Sequence, residues 1–465
     1  GLPIVRWPEG QPPPAEAGPR FGPFKPVEKC SGGGLTERQQ EALEKLIERY
    51  VRRTAGSKAF TATNRSHYAD PRAVAGFNPL WKEMVYPIVA AGSKGSHITD
   101  IDGNSYIDVT MGFGTYFFGH SPDWLVEALH ARLSQGIEIG PQSELAGGIA
   151  RDLCAMTGMD RVTFCNTGSE AVMAAVRLAR TVTGRQRVAY FTGDYHGMYD
   201  EVLVRGAWVD GVYRARPVAP GIPDSLIENM LVLEYGSPAS LEILRAHAGE
   251  LAAVLVEPVQ SRRPDLQPRG FLQELRALTK QSGTALVFDE VVTGFRCHPG
   301  GAQAWFGIEA DMATYGKVVG GGIPIGILAG KRPFMDALDG GAWNYGDDSF
   351  PEVGVTFFAG TFVRHPLAMA AARAVVDHLH REGPGLQLRM NERTSLLCRS
   401  LTDFCRRSGA PVRLPCFSAF ADIEHAPGLP YAGLLWYYLR EKGIHIWEGR
   451  PLYFTTAHTD EDLDR

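Results

Sequence analysis

Two short runs in this chain, Leu251–Val256 and 285–288, are apolar at every position, and each ends directly against an acid, Glu257 and Asp289. A strand with one wet face alternates polar and apolar residues. A strand apolar throughout must be covered on both faces, which is the situation inside a parallel sheet. Further strands are read at 161–166 and 187–192. Helices are read at 169–180 and at 271–281, the latter closed by Gly283 just before the next strand. This alternation runs from about residue 120 and predicts an α/β fold with a mostly parallel sheet under helices. The last hundred residues read differently, as helix, then strands, then a helix start, and predict a second, smaller α+β domain. The expected organisation is a Pro/Gly-rich linker or arm over 1–34, an N-terminal segment over 35–109, a large domain over 110–365 and a small C-terminal domain over 366–465.

Order is expected to begin at Thr36, where Thr36-x-x-Gln39 forms a capping box and Leu43, Leu46, Ile47 and Tyr50 follow at helical spacing. Asp102-Gly103-Asn104 reads as the turn of a hairpin between 96–101 and 105–109. The chain has 465 residues, with 47 basic against 52 acidic side chains and a net charge of −5, which argues against nucleic-acid binding. No apolar stretch reaches the length of a membrane span. Seven cysteines are scattered without a CxxC pair, the pattern of reduced thiols in a cytoplasmic protein. Both ends read as cuts made inside a longer protein.

Three motifs stand at expected strand ends, where open α/β sheets bind ligands. Asn166-Thr167-Gly168-Ser169-Glu170 joins a strand to a helix. Amide groups and a hydroxyl at a helix start suit an anion such as phosphate, although the motif alone also reads as a capped turn. Asp289 ends an apolar run, where an acid is costly unless a cation answers it; a structural ion pair would do so as well as a ligand. Lys317 precedes the glycine-rich segment 320–326. That segment is neither a Walker A loop nor a G-x-G-x-x-G fingerprint, and a lone lysine there also reads as a surface residue. Together, phosphate cradle, acid and lysine are what a pyridoxal phosphate enzyme requires.

At this point the chain resembles the class III aminotransferases, the fold type I group that contains glutamate-1-semialdehyde aminomutase and the ω-transaminases. The resemblance is carried by NTGSEAVMAAVRLAR (166–180), YHGMYD (195–200), VLVEPVQ (254–260), LVFDEVVTGFR (286–296), YGKVVGGGIPIG (315–326) and AGTFVRHPLAMAAA (359–372). It implies a large domain on a mostly parallel sheet, and a smaller α+β domain made from N- and C-terminal segments. It implies pyridoxal 5′-phosphate as cofactor, with Lys317 as the Schiff-base lysine and Asp289 as partner of the pyridine nitrogen. Thr167, Gly168 and Ser169 match the phosphate cradle. Tyr195 and Val291 match the groups on the two faces of the ring, and Glu257 a strand-end acid near the cofactor. His196 is expected to be a packed neighbour rather than a ligand or base. Thr361 matches a threonine that reaches the phosphate in a neighbouring subunit, implying a homodimer with shared sites.

The flanks are similar to a narrower group, the aminotransferase domains of hybrid polyketide–nonribosomal peptide synthases. The similar segments are 22–50, 70–77, 256–268, 439–451 and 456–464. This implies that a β-ketoacyl chain on the phosphopantetheine of an acyl carrier protein becomes a β-aminoacyl thioester, with glutamate or glutamine as donor. A freestanding enzyme acting on free small molecules, or a non-catalytic carrier-docking domain, are the alternatives. Many class III relatives carry Asn or Glu five residues after the strand-end acid; here Arg262 stands there, followed by Arg263. Gln260 is the substitute for the contact to the cofactor's 3′ oxygen. Arg262, Arg263 and Arg450 either bind a donor carboxylate or phosphopantetheine phosphate or are solvated surface arginines. The apolar run 111–118 is expected near the substrate entrance, with Phe113 facing substrate and Phe117 and Phe118 in the core.

Overall fold

The computed structural model describes residues 34–74, 76–209 and 212–465. Apart from Gly34, the arm expected over 1–34 lies outside these residues. The described chain gathers into two units. The larger holds Asp123–Ser395 with Cys416–Ala419, and the smaller holds 34–122, Leu396–Pro415 and Phe420–Arg465. The divisions thus fall at 122/123 and 395/396, later in the chain than the 109/110 and 365/366 expected from the sequence.

The apolar runs of the larger unit form one seven-stranded sheet. Its strands, in chain order, are β1 (Arg161–Cys165), β2 (Arg187–Phe191), β3 (Met230–Leu233), β4 (Leu251–Val256), β5 (Ala285–Asp289), β6 (Met312–Tyr315) and β7 (Gly326–Gly330). Their spatial order is β1-β7-β6-β5-β4-β2-β3. The pairs β6/β5, β5/β4, β4/β2 and β2/β3 are parallel. Only β7 runs the other way, antiparallel to both β6 and β1. Every residue of β4 and β5 is buried, as the apolar runs 251–256 and 285–288 require; only Asp289, at the end of β5, is polar. The helix Gly168–Thr183 lays a face of small residues, Ala171, Ala174, Ala175 and Ala179, into the core that these strands share. Small side chains let the helix backbone lie close to the sheet.

Strands β3, β6 and β7 were not marked by the sequence. Each is short, and β7 opens and closes on glycine. The glycine at its start has a steric cause: a Cβ on Gly326 would fall 2.0 Å from the carbonyl oxygen of Thr167. Strand β7 therefore passes hard against the loop that leaves β1.

The smaller unit is built from N- and C-terminal segments. The helix Glu37–Arg53 starts at Thr36 with both halves of the expected capping box. Its Leu43, Leu46 and Tyr50 pack with Trp81, Met84, Tyr86 and Tyr437. The expected hairpin pairs His97–Asp100 with Ser105–Asp108. Asp100 secures its turn, Oδ1 accepting from the amides of Asp102 (3.0 Å) and Asn104 (2.8 Å). The C-terminal strand Ile444–His445 adds in parallel to Ser105–Asp108. Among the described residues no disulfide forms, and no helix is long and apolar enough to cross a membrane.

Candidate active site

The carboxyl ends of β1, β2, β4, β5 and β6 lead into the segments that carry Gly168, His196, Glu257, Asp289 and Lys317 respectively. Thr167 is the N-cap of the helix Gly168–Thr183. Its Oγ1 accepts from the Glu170 amide at 3.2 Å, and Glu170 Oε2 accepts in return from the amides of Thr167 (3.2 Å) and Asn166 (2.6 Å). The box satisfies the outer amides of the helix start and leaves those of Gly168 and Ser169 for an external acceptor. Ser169 Oγ accepts from the Met198 amide at 3.2 Å, so its own proton remains to be given to an anion. Thr167 thus caps the helix, while Gly168 and Ser169 present the open donors at its start.

Asp289 closes β5 and is buried. Its Oδ1 accepts from the Val291 amide and from Thr314 Oγ1, both at 3.1 Å. Its Oδ2 lies 2.8 Å from His196 Nδ1. A carboxylate offers about four acceptor positions, so one on Oδ2 stays open for a cation. The other ring nitrogen of His196 lies 3.2 Å from Asp194 Oδ2. Burial alone would lower the His196 pKa, but the bonds to Asp194 and Asp289 carry it up to about 10. Glu257, which accepts from the Tyr195 amide at 3.1 Å, is held well above the usual carboxylate range by burial and then by the charge of Asp194.

Lys317 follows Gly316 in left-handed backbone, at φ 44°, a conformation that costs a non-glycine residue roughly 1–3 kcal/mol and that clusters at functional sites. Burial lowers its pKa, while Asp289 and then Glu257 pull it back up. Val291 ties the three motifs together. A Cβ on Gly168 would come within 2.9 Å of Val291 Cγ2, and one on Gly316 within 3.5 Å of Val291 Cγ1. Cradle, acid and lysine therefore converge on one side chain.

The remaining candidates divide. Tyr195 is exposed over 53% of its surface. The Gln260 amide nitrogen is taken by Asp194 Oδ1 (2.6 Å) and the Thr192 carbonyl (2.9 Å). Its buried Oε1 has no partner among the described residues, so only that acceptor is left for the expected contact to a 3′ oxygen. Arg263 is engaged by Glu234 at 3.1 Å, and Arg262 is half-buried in the same loop. Thr361 is exposed in the turn before the helix Pro366–Glu382. Phe113 and Arg450 belong to the smaller unit. There Phe113, at φ 56°, sets its ring edge-on to Trp447 at 5.7 Å, and Arg450 is exposed. Phe117 and Phe118 are buried, as expected.

Sequence reasoning missed the depth of the polar network. His196 was expected to be a packed neighbour; it is bonded to Asp289 and to Asp194 at once. The available signal was Asp194-Tyr195-His196, since residues two apart in extended backbone share a face. Thr314, inside a buried strand, carried no signal at all.

These residues fit pyridoxal phosphate. Two amides and a hydroxyl suit its phosphate, the open position on Asp289 suits a protonated ring nitrogen, and a lysine of lowered pKa suits its aldehyde. Comparison with known proteins agrees. The family model described as aminotransferase class-III matches residues 80–456. The glutamate-1-semialdehyde 2,1-aminomutase of Desulforudis audaxviator is 35% identical over 399 residues, covering 82% of this chain and 88% of that protein. A solved transaminase with PLP bound is similar at a TM-score of 0.78 and 29% identity, covering 88% of this chain and 95% of that one. The β-phenylalanine aminotransferase of Variovorax paradoxus is similar at a TM-score of 0.77 and 25% identity, covering 91% and 94%. The fold is that of the fold type I transferases, the cofactor is pyridoxal phosphate, and the chain belongs to the class III aminotransferases.

Proposed function

We propose that this enzyme moves an amino group between free small amino and carbonyl compounds, by transamination or by an aminomutase-type shift within one molecule. The observation that carries the reading is Lys317, in strained backbone with its pKa lowered by burial, among the charges of Asp289 and Glu257. When bound, pyridoxal phosphate supplies an aldehyde that links to amines and an electron-poor ring that takes up negative charge.

The rest falls to the chain. Gly168 and Ser169 hold the phosphate through amides and hydroxyl. Asp289 holds the proton on the ring nitrogen through the open position of Oδ2. Val291 and Tyr195 would flank the ring. Lys317 Nζ would hold the cofactor through its aldehyde and, when released, would take the proton from the substrate carbon that bears nitrogen and later give a proton back. A lowered pKa suits a group that must be neutral for the first act and protonated for the second. The substrate class follows the relatives that are named aminomutases.

A second copy of the chain completes the molecule in this reading. Tyr345, Phe350, Val355, Phe357 and Phe362 are all exposed within one segment that also holds Thr361. Apolar exposure on this scale marks an interaction surface. It supports a homodimer in which Thr361 reaches the partner's phosphate site.

A carrier-bound β-ketoacyl substrate is the second reading. It is favoured by the exposed Phe113 ring against Trp447, an apolar edge suited to an acyl chain. The two readings separate when the enzyme, first aminated by glutamate, is offered glutamate-1-semialdehyde, a free β-keto acid, or the same β-ketoacyl chain on a carrier protein. Return of the cofactor's original absorbance with either free compound is expected. Return with the carrier-bound chain alone would replace the first reading by the second.

A further inference from the structure

Behind Asp289 lies a buried polar chain that runs through His196 and Asp194 to Gln260. His196, Asp194 and Gln260 are fully or almost fully enclosed. Gln260 Nε2 donates to Asp194 Oδ1 at 2.6 Å, and the Glu257 amide donates to Asp194 Oδ2 at 3.2 Å. Asp194 Oδ2 faces His196 Nε2, and His196 Nδ1 faces Asp289 Oδ2. A neutral imidazole has one N–H and one lone pair. It cannot donate to two carboxylates at once. With Asp194 accepting two further N–H donors and Asp289 accepting two others, the arrangement is satisfied when both ring nitrogens carry protons.

We propose that Asp194, clamped by Gln260, is a positioning residue: it keeps His196 doubly protonated and fixed in plane, and so aims Asp289 at the cofactor's ring nitrogen. The inference rests on the reading of Asp289 given above. Around the imidazole stand Asp194 and Asp289 at its nitrogens and the Tyr190 ring edge-on at 5.6 Å. Glu257 lies within electrostatic reach of His196, Asp194 and Asp289, and Lys317 within reach of Asp289 and Glu257. Asp194→Asn removes one negative charge and, by releasing a proton from His196, one positive charge. The net charge facing Lys317 is therefore unchanged, and what changes is the state and aim of the His196–Asp289 pair.

The test is the absorbance of the bound cofactor in the holoenzyme, titrated from pH 5.5 to 9.5, with its dissociation constant measured by equilibrium dialysis. In the wild type His196 keeps its charge through neutrality, its pKa standing at about 10. In Asp194→Asn the bond to Asp289 remains, and its pKa falls toward the ordinary imidazole value of about 6.5. A one-proton transition absent from the wild type is expected near neutrality, with an approximately tenfold weaker hold on pyridoxal phosphate. Adding His196→Asn to Asp194→Asn is expected to erase that transition. Gln260→Met, which keeps volume and charge but removes the clamp together with Oε1, is read by the new titration rather than by cofactor affinity and serves if Asp194→Asn fails to fold. Titration curves and dissociation constants that superimpose on the wild type would overturn the proposal. If borohydride attaches the cofactor at Lys317 and these variants behave as wild type, this inference alone falls. If it does not attach there, the reading of the site falls first.

Discussion

A residue that is to take a proton and later return it is served by a pKa below the ordinary lysine value, and burial moves Lys317 in that direction. Lys317→Ala should lower kcat by at least ~10³-fold, on the scale of removing a positioned acid–base group. Lys317→Arg should be as inactive despite keeping the positive charge, because arginine does not release its proton; a steady-state assay of both variants checks this. His196 yields a prediction in stability. Its folded pKa of about 10 lies above the ordinary value, so its charge stabilises the fold fully below about pH 6.5 and the benefit fades as pH rises through 10. The melting-temperature gap between wild type and His196→Asn should therefore narrow from pH 7 to pH 10. At this scale the roles that announce themselves are those with a motif, Lys317, Asp289, Gly168 and Ser169. The partners of Asp289 did not announce themselves, because a hydrogen bond from Thr314 or His196 depends on which strands lie side by side.

The elements place these residues by two local devices. The capping box at Thr167 starts the helix Gly168–Thr183 at the point where two amides must stay open, and Thr167→Ala should cost about 1 kcal/mol. The other device is the close pass of β7 under the same loop. Gly326→Ala puts a methyl into the Thr167 carbonyl and should cost roughly 1–3 kcal/mol, with weaker retention of pyridoxal phosphate because the cradle must move. Chemical denaturation of the apoprotein reads the first cost, and cofactor dialysis reads the second effect. Strands β4 and β5 were legible because residues 251–256 and 285–288 are buried on both faces and apolar throughout. Strand β7 was not, since Gly-Ile-Leu-Ala-Gly carries neither alternation nor β-branched enrichment, and its glycine Gly326 answers Thr167, 159 residues away in sequence, roughly the span of one domain.

For the molecule as a whole, the α/β class followed from alternation, and a smaller unit drawn from both ends of the chain followed from family resemblance. Assembly and substrate did not follow with the same force, because both depend on surfaces, where sequence pattern is weak. Phe357 is exposed over 76% of its surface, with Phe362 nearby in sequence. Replacing both by Asp should turn a dimer into a monomer in analytical ultracentrifugation, with cofactor loss if Thr361 serves the partner's site; a monomeric wild type would contradict this.

The central claim is that Lys317 carries the cofactor and the chemistry. It is tested most directly by reducing the holoenzyme with borohydride, digesting it and locating the pyridoxyl group by mass spectrometry. The account predicts one modified residue, Lys317, and no modification once an amino donor has first displaced it. Label on another lysine, or none at all with the cofactor bound, would contradict it.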